Sequence, residues 1–150
     1  MRMWPICMML ALGSVSIEAA APEQQAPLLQ GVWHVSVAVR NCETGDTIRV
    51  VRALNSFTRD GSMSETAANM LRGPGVGTWR RLQGNTYTSM FEFFRFNPDG
   101  TFASTARVTR TIELSEDGRQ FTSIGTVEDF DVQDVRVSIG CATEIAVRAQ

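Results

Sequence analysis

The sequence predicts an all-β domain, an eight-stranded antiparallel up-and-down barrel tied by one disulfide. Three observations carry this reading. Apolar and polar residues alternate with a period of two, turn dipeptides recur at short spacing, and no stretch after residue 30 sustains a helical period.

The first strand shows the alternation best. Trp33, Val35, Val37 and Val39 interleave with His34, Ser36, Ala38 and Arg40, so one face is apolar and the other mixed. Turn signals follow at Thr44-Gly45-Asp46, Asp60-Gly61, Gly84-Asn85, Asp99-Gly100 and Asp117-Gly118. They divide the chain into strands at 32–40, 48–57, 62–68, 77–83, 86–96, 101–114, 119–130 and 135–148. Ser64 to Leu71 comes nearest to a helix. Short connections favour antiparallel neighbours, and a meander of this length closes to remove its exposed edges. Eight strands enclose just enough space to be filled by side chains or to hold one small ligand. Gly31-Val32-Trp33 recurs as Gly77-Thr78-Trp79, and the segment Phe57 to Ser62 as Phe96 to Thr101, a pattern suited to two pseudo-symmetric halves.

The chain has 150 residues, enough for one domain with a core. Residues 1–21 read as a signal peptide. Arg2 precedes the apolar run Ile6 to Ile17, and small residues follow at Ala19 to Ala21, where cleavage is expected. The competing reading is a retained N-terminal anchor. Residues 22–30 form a polar, proline-containing lead-in, and 31–150 the barrel. The expected location is exported, periplasmic or extracellular, with no membrane contact after cleavage.

Loss of the leader removes Cys7 and leaves Cys42 and Cys141 in an oxidising compartment, where a bridge is expected; two free thiols are the alternative. Such a bridge closes a loop of about 100 residues, worth roughly 4–5 kcal/mol in chain entropy. In a closed meander the first and last strands are antiparallel neighbours. Bridging Cys42 to Cys141 then brings Trp33 close to Arg148.

Chemistry is sparse. The net charge is −2, all fourteen strongly basic residues are arginine, and there is a single histidine. Without lysine there is no Schiff-base chemistry, and without a basic surface nucleic acid is not an expected partner. His34 falls on the face opposite Trp33 and so points outward. No nucleophile elbow, phosphate loop, zinc spacing or calcium loop is present. Glu113, Glu116, Asp117, Glu128, Asp129, Asp131 and Asp134 cluster around turns and read as solvated faces. No catalytic residue, metal or cofactor is expected.

The strand 86–96 is the most aromatic. If Phe96 and Phe102 point inward together across the Asp99-Gly100 hairpin, then Phe94, Ala106 and Val108 line the barrel, with Glu92 and Arg110. A buried carboxylate and guanidinium must pair with each other or contact a ligand. The same register leaves Tyr87, Phe91 and Phe93 outside, a row that calls for a covering partner such as a second copy of the chain.

Gly31-x-Trp33 at the start of the first strand, with Arg148 at the end of the last, resembles the signature of lipocalin and calycin barrels. That resemblance implies that Trp33 closes the barrel floor and that Arg148 packs over it. The stretch Phe93 to Leu114, with "NCETG" and "GCATE", is also similar to a group of small exported bacterial proteins of unassigned function. The expected role is binding of a small apolar or amphipathic molecule inside the barrel by Trp33, Phe94, Phe96 and Phe102, oriented by Glu92 and Arg110. One alternative is a ligand-free barrel acting as an interaction or inhibitor module through its outer aromatics and residues 69–77. The other is a barrel enzyme of the cyclase or isomerase type.

Overall fold

The structure, a computed structural model, describes residues 28–150; the leader and most of the lead-in lie outside the described residues. Eight strands follow in order: β1 (Gly31–Arg40), β2 (Thr47–Phe57), β3 (Ser62–Ala67), β4 (Gly75–Gln83), β5 (Thr86–Phe96), β6 (Phe102–Leu114), β7 (Gln120–Phe130) and β8 (Arg136–Arg148). Each pairs antiparallel with the next, and β8 returns to β1 to close the barrel. The architecture is compatible with a lipocalin-like fold. Ser64, in the segment closest to a helical pattern, lies within β3.

Local chemistry explains the hairpins. Asp60, Asp99 and Asp117 each precede a glycine with positive φ, at 86°, 84° and 67° respectively. Each carboxylate accepts from the backbone two residues on, at Ser62, Thr101 and Arg119. Hydroxyl bonds from Thr58, Thr101 and Ser115 respectively, followed by these backbone bonds, hold all three carboxyls below the ordinary aspartate value, Asp60 at about 2.

The closing seam joins Trp33 to Arg148 and Arg40 to Cys141. Cys42 is bonded to Cys141 just beyond the end of β1, with Cα atoms 5.2 Å apart. Arg40, not Cys42, is therefore the direct partner of Cys141, a register two residues from the one a bridge between paired strand positions implies.

At the opposite end Trp33 is fully buried, and its Nε1 donates to Leu29 O at 2.9 Å. The Arg148 guanidinium stacks 4.3 Å from the Trp33 ring centroid and donates to the carbonyls of Leu28, Gln30 and Gly118. Gly31 makes room for it, since a Cβ there would lie 2.7 Å from Arg148 Nη1. Phe121 packs edge-on against Trp33 at 4.9 Å, and Phe57, Trp79 and Tyr87 continue the aromatic layer. This half of the barrel is filled by its own side chains.

The repeated motifs lie three strands apart, on β1 to β3 and β4 to β6. An odd offset reverses strand direction, so the Asp60 hairpin sits at the floor end and the Asp99 hairpin at the open end. β7 and β8 have no counterpart in the repeat.

The expected orientation of β5 is corrected. Phe96 does face Phe102, but the register shifts between Arg95 and Phe96. One extra residue in β6, Ala103, pairs Phe93 rather than Glu92 with Ala106, and Phe91 rather than Met90 with Val108. A one-residue slip exchanges the two faces of a strand. Tyr87, Phe91 and Phe93 are accordingly core residues, whereas Phe94 is 56% exposed and packs edge-on against exposed Phe102 outside. An outer row of Tyr87, Phe91 and Phe93 therefore does not exist to recruit a second copy.

Replacing both Cys42 and Cys141 by serine is expected to lower unfolding free energy in urea by roughly 4 kcal/mol, with the barrel signal in circular dichroism unchanged.

Candidate functional site

Above the aromatic floor lies a charged layer. Arg110 of β6 is 3% exposed. Its Nε donates to Ser89 Oγ at 2.8 Å, and its Nη1 donates to Glu144 of β8. With the Asn55 amide oxygen turned inward, that oxygen accepts from both Arg110 terminal nitrogens at 3.0 and 3.1 Å. Ser123 Oγ donates to Glu144 Oε2 at 2.7 Å. Phe91 and Phe57 lie 5.2 and 5.7 Å from the guanidinium carbon. The Arg110 nitrogens and Glu144 Oε2 are thus partnered, as keeping an ion pair in a core requires.

The sequence makes space for this layer. Gly125 of β7 lies directly beside Arg110, between it and the strand that carries Glu144. A Cβ there would stand 2.7 Å from Arg110 Cβ and 2.4 Å from Thr109 O. Arg110 reaches Glu144 across this bare position.

The open end holds a cup of about 60 Å³. Val37, Val39, Val51, Ala67, Val108, Val127 and Ala142 form its apolar wall with Phe91 and Phe93. Glu144 is at its base, and Glu65, Asn69, Arg49, Arg72 and Arg95 complete its lining. Arg72 enters from the β3–β4 loop. Its guanidinium lies 3.3 Å from the Phe93 ring centroid, and Nη2 donates to Glu65. Its Nε is buried without a hydrogen-bond partner. Arg95 is held by Asp129 at 2.6 Å. Gly75 admits this packing, because a Cβ there would come within 2.8 Å of Phe91 and 3.2 Å of Glu65 Oε2.

Burial pushes the Glu65 carboxyl above its ordinary value, and nearby Glu144 adds to the effect; Arg72 and Arg110 oppose it. Burial likewise holds Arg72 below the ordinary arginine value, against the pull of Glu65.

The expected ligand residues separate. Arg110 is inside, but its partner is Glu144. Glu92 lies on the outer wall, where it accepts from Arg107 Nε at 2.7 Å. Phe94 and Phe102 are outside, and Phe96 is half-buried with its ring edge near Gly73. Trp33 is in the floor, away from the cup. His34 is exposed on the outer face of β1, in an open groove of about 710 Å³ with Arg52, Leu54 and Ile145. The unanticipated residues are Glu65, Arg72 and Glu144. Alternation from Met63 and from Arg148 points Glu65 and Glu144 inward, whereas nothing in the sequence folds the Arg72 loop over the mouth.

Comparisons with protein-family models, with curated proteins and with solved structures found no match.

Two outcomes follow from this geometry. Arg110→Met should cost about 3–5 kcal/mol by leaving Glu144 buried and unpaired, and adding Glu144→Leu should recover most of the loss in urea denaturation. A carboxyl raised by folding stabilises fully below its unfolded value, near 4.5, and that contribution is lost as pH rises through the folded value. Glu65→Gln should therefore flatten the fall of stability with pH above 4.5 in thermal melts at stepped pH.

Proposed function

We propose that this chain is an exported, lipocalin-like binding barrel that takes a small amphipathic molecule in the cup at its open end. The observation that carries this reading is an apolar cup crossed by arginines, with one buried donor, Arg72 Nε, left without a partner. Ligand sites are commonly apolar concavities with a few convergent polar groups. The solid floor excludes a long ligand threaded down the barrel axis. A water needs on the order of 10–15 Å³ by this measure, so the enclosed part of the cup accepts about four to six non-hydrogen atoms. A longer molecule would leave its remainder in the mouth.

The lipocalin-like assignment rests on the closed eight-stranded meander and on the Gly31, Trp33 and Arg148 arrangement at its floor. Export is supported by the Cys42–Cys141 disulfide, since such bonds persist in oxidising compartments, and by the leader-like residues 1–21. Binding is favoured over catalysis because the charged groups of the interior are engaged in ion pairs and the single histidine is on the outer wall.

Native mass spectrometry of protein isolated from its own source is expected to show a small co-purifying molecule. Ala142→Phe, which fills the cup, should lose that molecule while keeping the barrel's circular dichroism. A molecule retained equally by both proteins, or none on the wild type, contradicts the reading.

A further inference from the structure

The cup already contains a carboxylate bound to its partly buried arginine, and that carboxylate is part of the chain. The backbone of the β3–β4 loop is fixed to β5, where Gly73 N donates to Phe94 O and Phe96 N donates to Leu71 O, both at 2.9 Å. From this anchored loop the Arg72 side chain descends into the cup and lies flat on Phe93. A guanidinium presents a fork of donors that matches both oxygens of a carboxylate. Glu65 accepts from Nη2 and leaves the adjacent Nε–H unused. The ion pair is therefore one-armed on a guanidinium edge that offers two donors.

The surrounding charge favours an incoming anion. Three arginines, Arg49, Arg72 and Arg95, line the cup against two glutamates, Glu65 and Glu144. Arg95 is shared with Asp129, and Glu144 with Arg110. Arg49 stands exposed at the mouth, with no hydrogen bond or ion pair among the described residues. The charged groups around Glu65 are thus Arg72 from the loop, Arg49 from β2, Arg95 from β5, Arg110 from β6, Asp129 from β7 and Glu144 from β8. The nearest parts of β1 and β4 are Val37, Val39 and Gly75, which carry no charge.

We infer that the ligand of the cup is a carboxylic acid, bound in its ionised form by both donors of Arg72, and that Glu65 is a resident stand-in that yields this position. The inference rests on the binding role proposed above and assigns the ligand's class. A second carboxylate cannot share Arg72 while the buried Glu65 stays ionised, because two like charges would then adjoin in a largely desolvated space. Glu65 accordingly takes one proton from solvent as the ligand binds, and burial already moves it in that direction. No bond is made or broken apart from this protonation. Phe93, with the valines of β1 and β2, receives the ligand's apolar part, and the enclosed volume suits a short chain or the acid end of a longer one.

The test uses butyrate and its uncharged isostere butyramide, with binding read by calorimetry and by the amide NMR signals of Ala67, Val127 and Ala142. Between about pH 6 and 8 butyrate stays ionised. It is expected to bind the wild type at least about tenfold more tightly than butyramide, a difference of about 1.4 kcal/mol. Its affinity should rise as pH falls, by at most about tenfold per unit for one linked proton, with proton uptake visible in buffers of different ionisation enthalpy. Glu65→Gln should keep the preference for butyrate and lose the pH dependence. Arg72→Met should lose the preference, as should the pair Glu65→Leu and Arg72→Met, which leaves no unpaired charge and so folds if the single variant does not. Equal binding of butyrate and butyramide overturns the acid assignment while leaving the cup a binding site. Loss of butyrate binding in a folded Glu65→Gln protein overturns the stand-in role. Failure of both probes to move the cup signals overturns the binding reading as well.

Discussion

The buried contact between Arg110 and Glu144 organises the interior of this barrel. It joins β6 to β8 across the bare face of Gly125, and its remaining hydrogen bonds run to Ser89 on β5, Asn55 on β2 and Ser123 on β7. Desolvating two charges costs several kcal/mol per ion, and the bonds made by the Arg110 nitrogens and Glu144 Oε2 offset that cost. An eight-stranded barrel filled by hydrocarbon alone would satisfy the fold. A charged layer at mid-height instead sets a boundary between two differently built halves.

Below the boundary the barrel is sealed. Trp33, Phe57, Phe121, Tyr87 and Ile112 are almost wholly buried, and Arg148 closes the end by stacking on Trp33 while donating to three carbonyls. Above it the wall is lined by smaller residues, mainly valine and alanine, and the strands end in longer connections. The Cys42–Cys141 bond ties the seam at that end, where the packed floor gives no support. A rigid sealed end and a stapled open end are the arrangement a small preorganised site requires, since positioning groups in advance reduces the entropy lost on binding.

The strand count, the order and the closing seam were legible in the sequence, and the Trp33–Arg148 contact at the floor through its resemblance to lipocalin barrels, whereas Tyr87 of the floor layer was expected outside. Period-two alternation and glycine turns are local signals, and closure follows from topology. The interior was only partly legible, for two physical reasons. A bulge in β6, invisible in the pattern Phe93 to Val108, inverted the expected faces of β5 and moved Phe94 and Glu92 to the outside. The partner of Arg110 was then sought on the wrong strand, although counting back by twos from Arg148 reaches Glu144. Glu65 follows from Met63 by the same count. Arg72 is different in kind, because a loop residue has no periodicity, and its place over Phe93 depends on tertiary bonds between the loop and β5.

The charged layer divides a solid floor from the cup proposed to bind a carboxylic acid. A crystal structure of the protein soaked in butyrate tests that division most directly. Density is expected between Arg72, Phe93 and Ala67, with Glu65 moved off Arg72 and the Arg110–Glu144 contact intact. Density among Trp33, Phe57 and Phe121, or only in the outer groove beside His34 and Leu54, would contradict it.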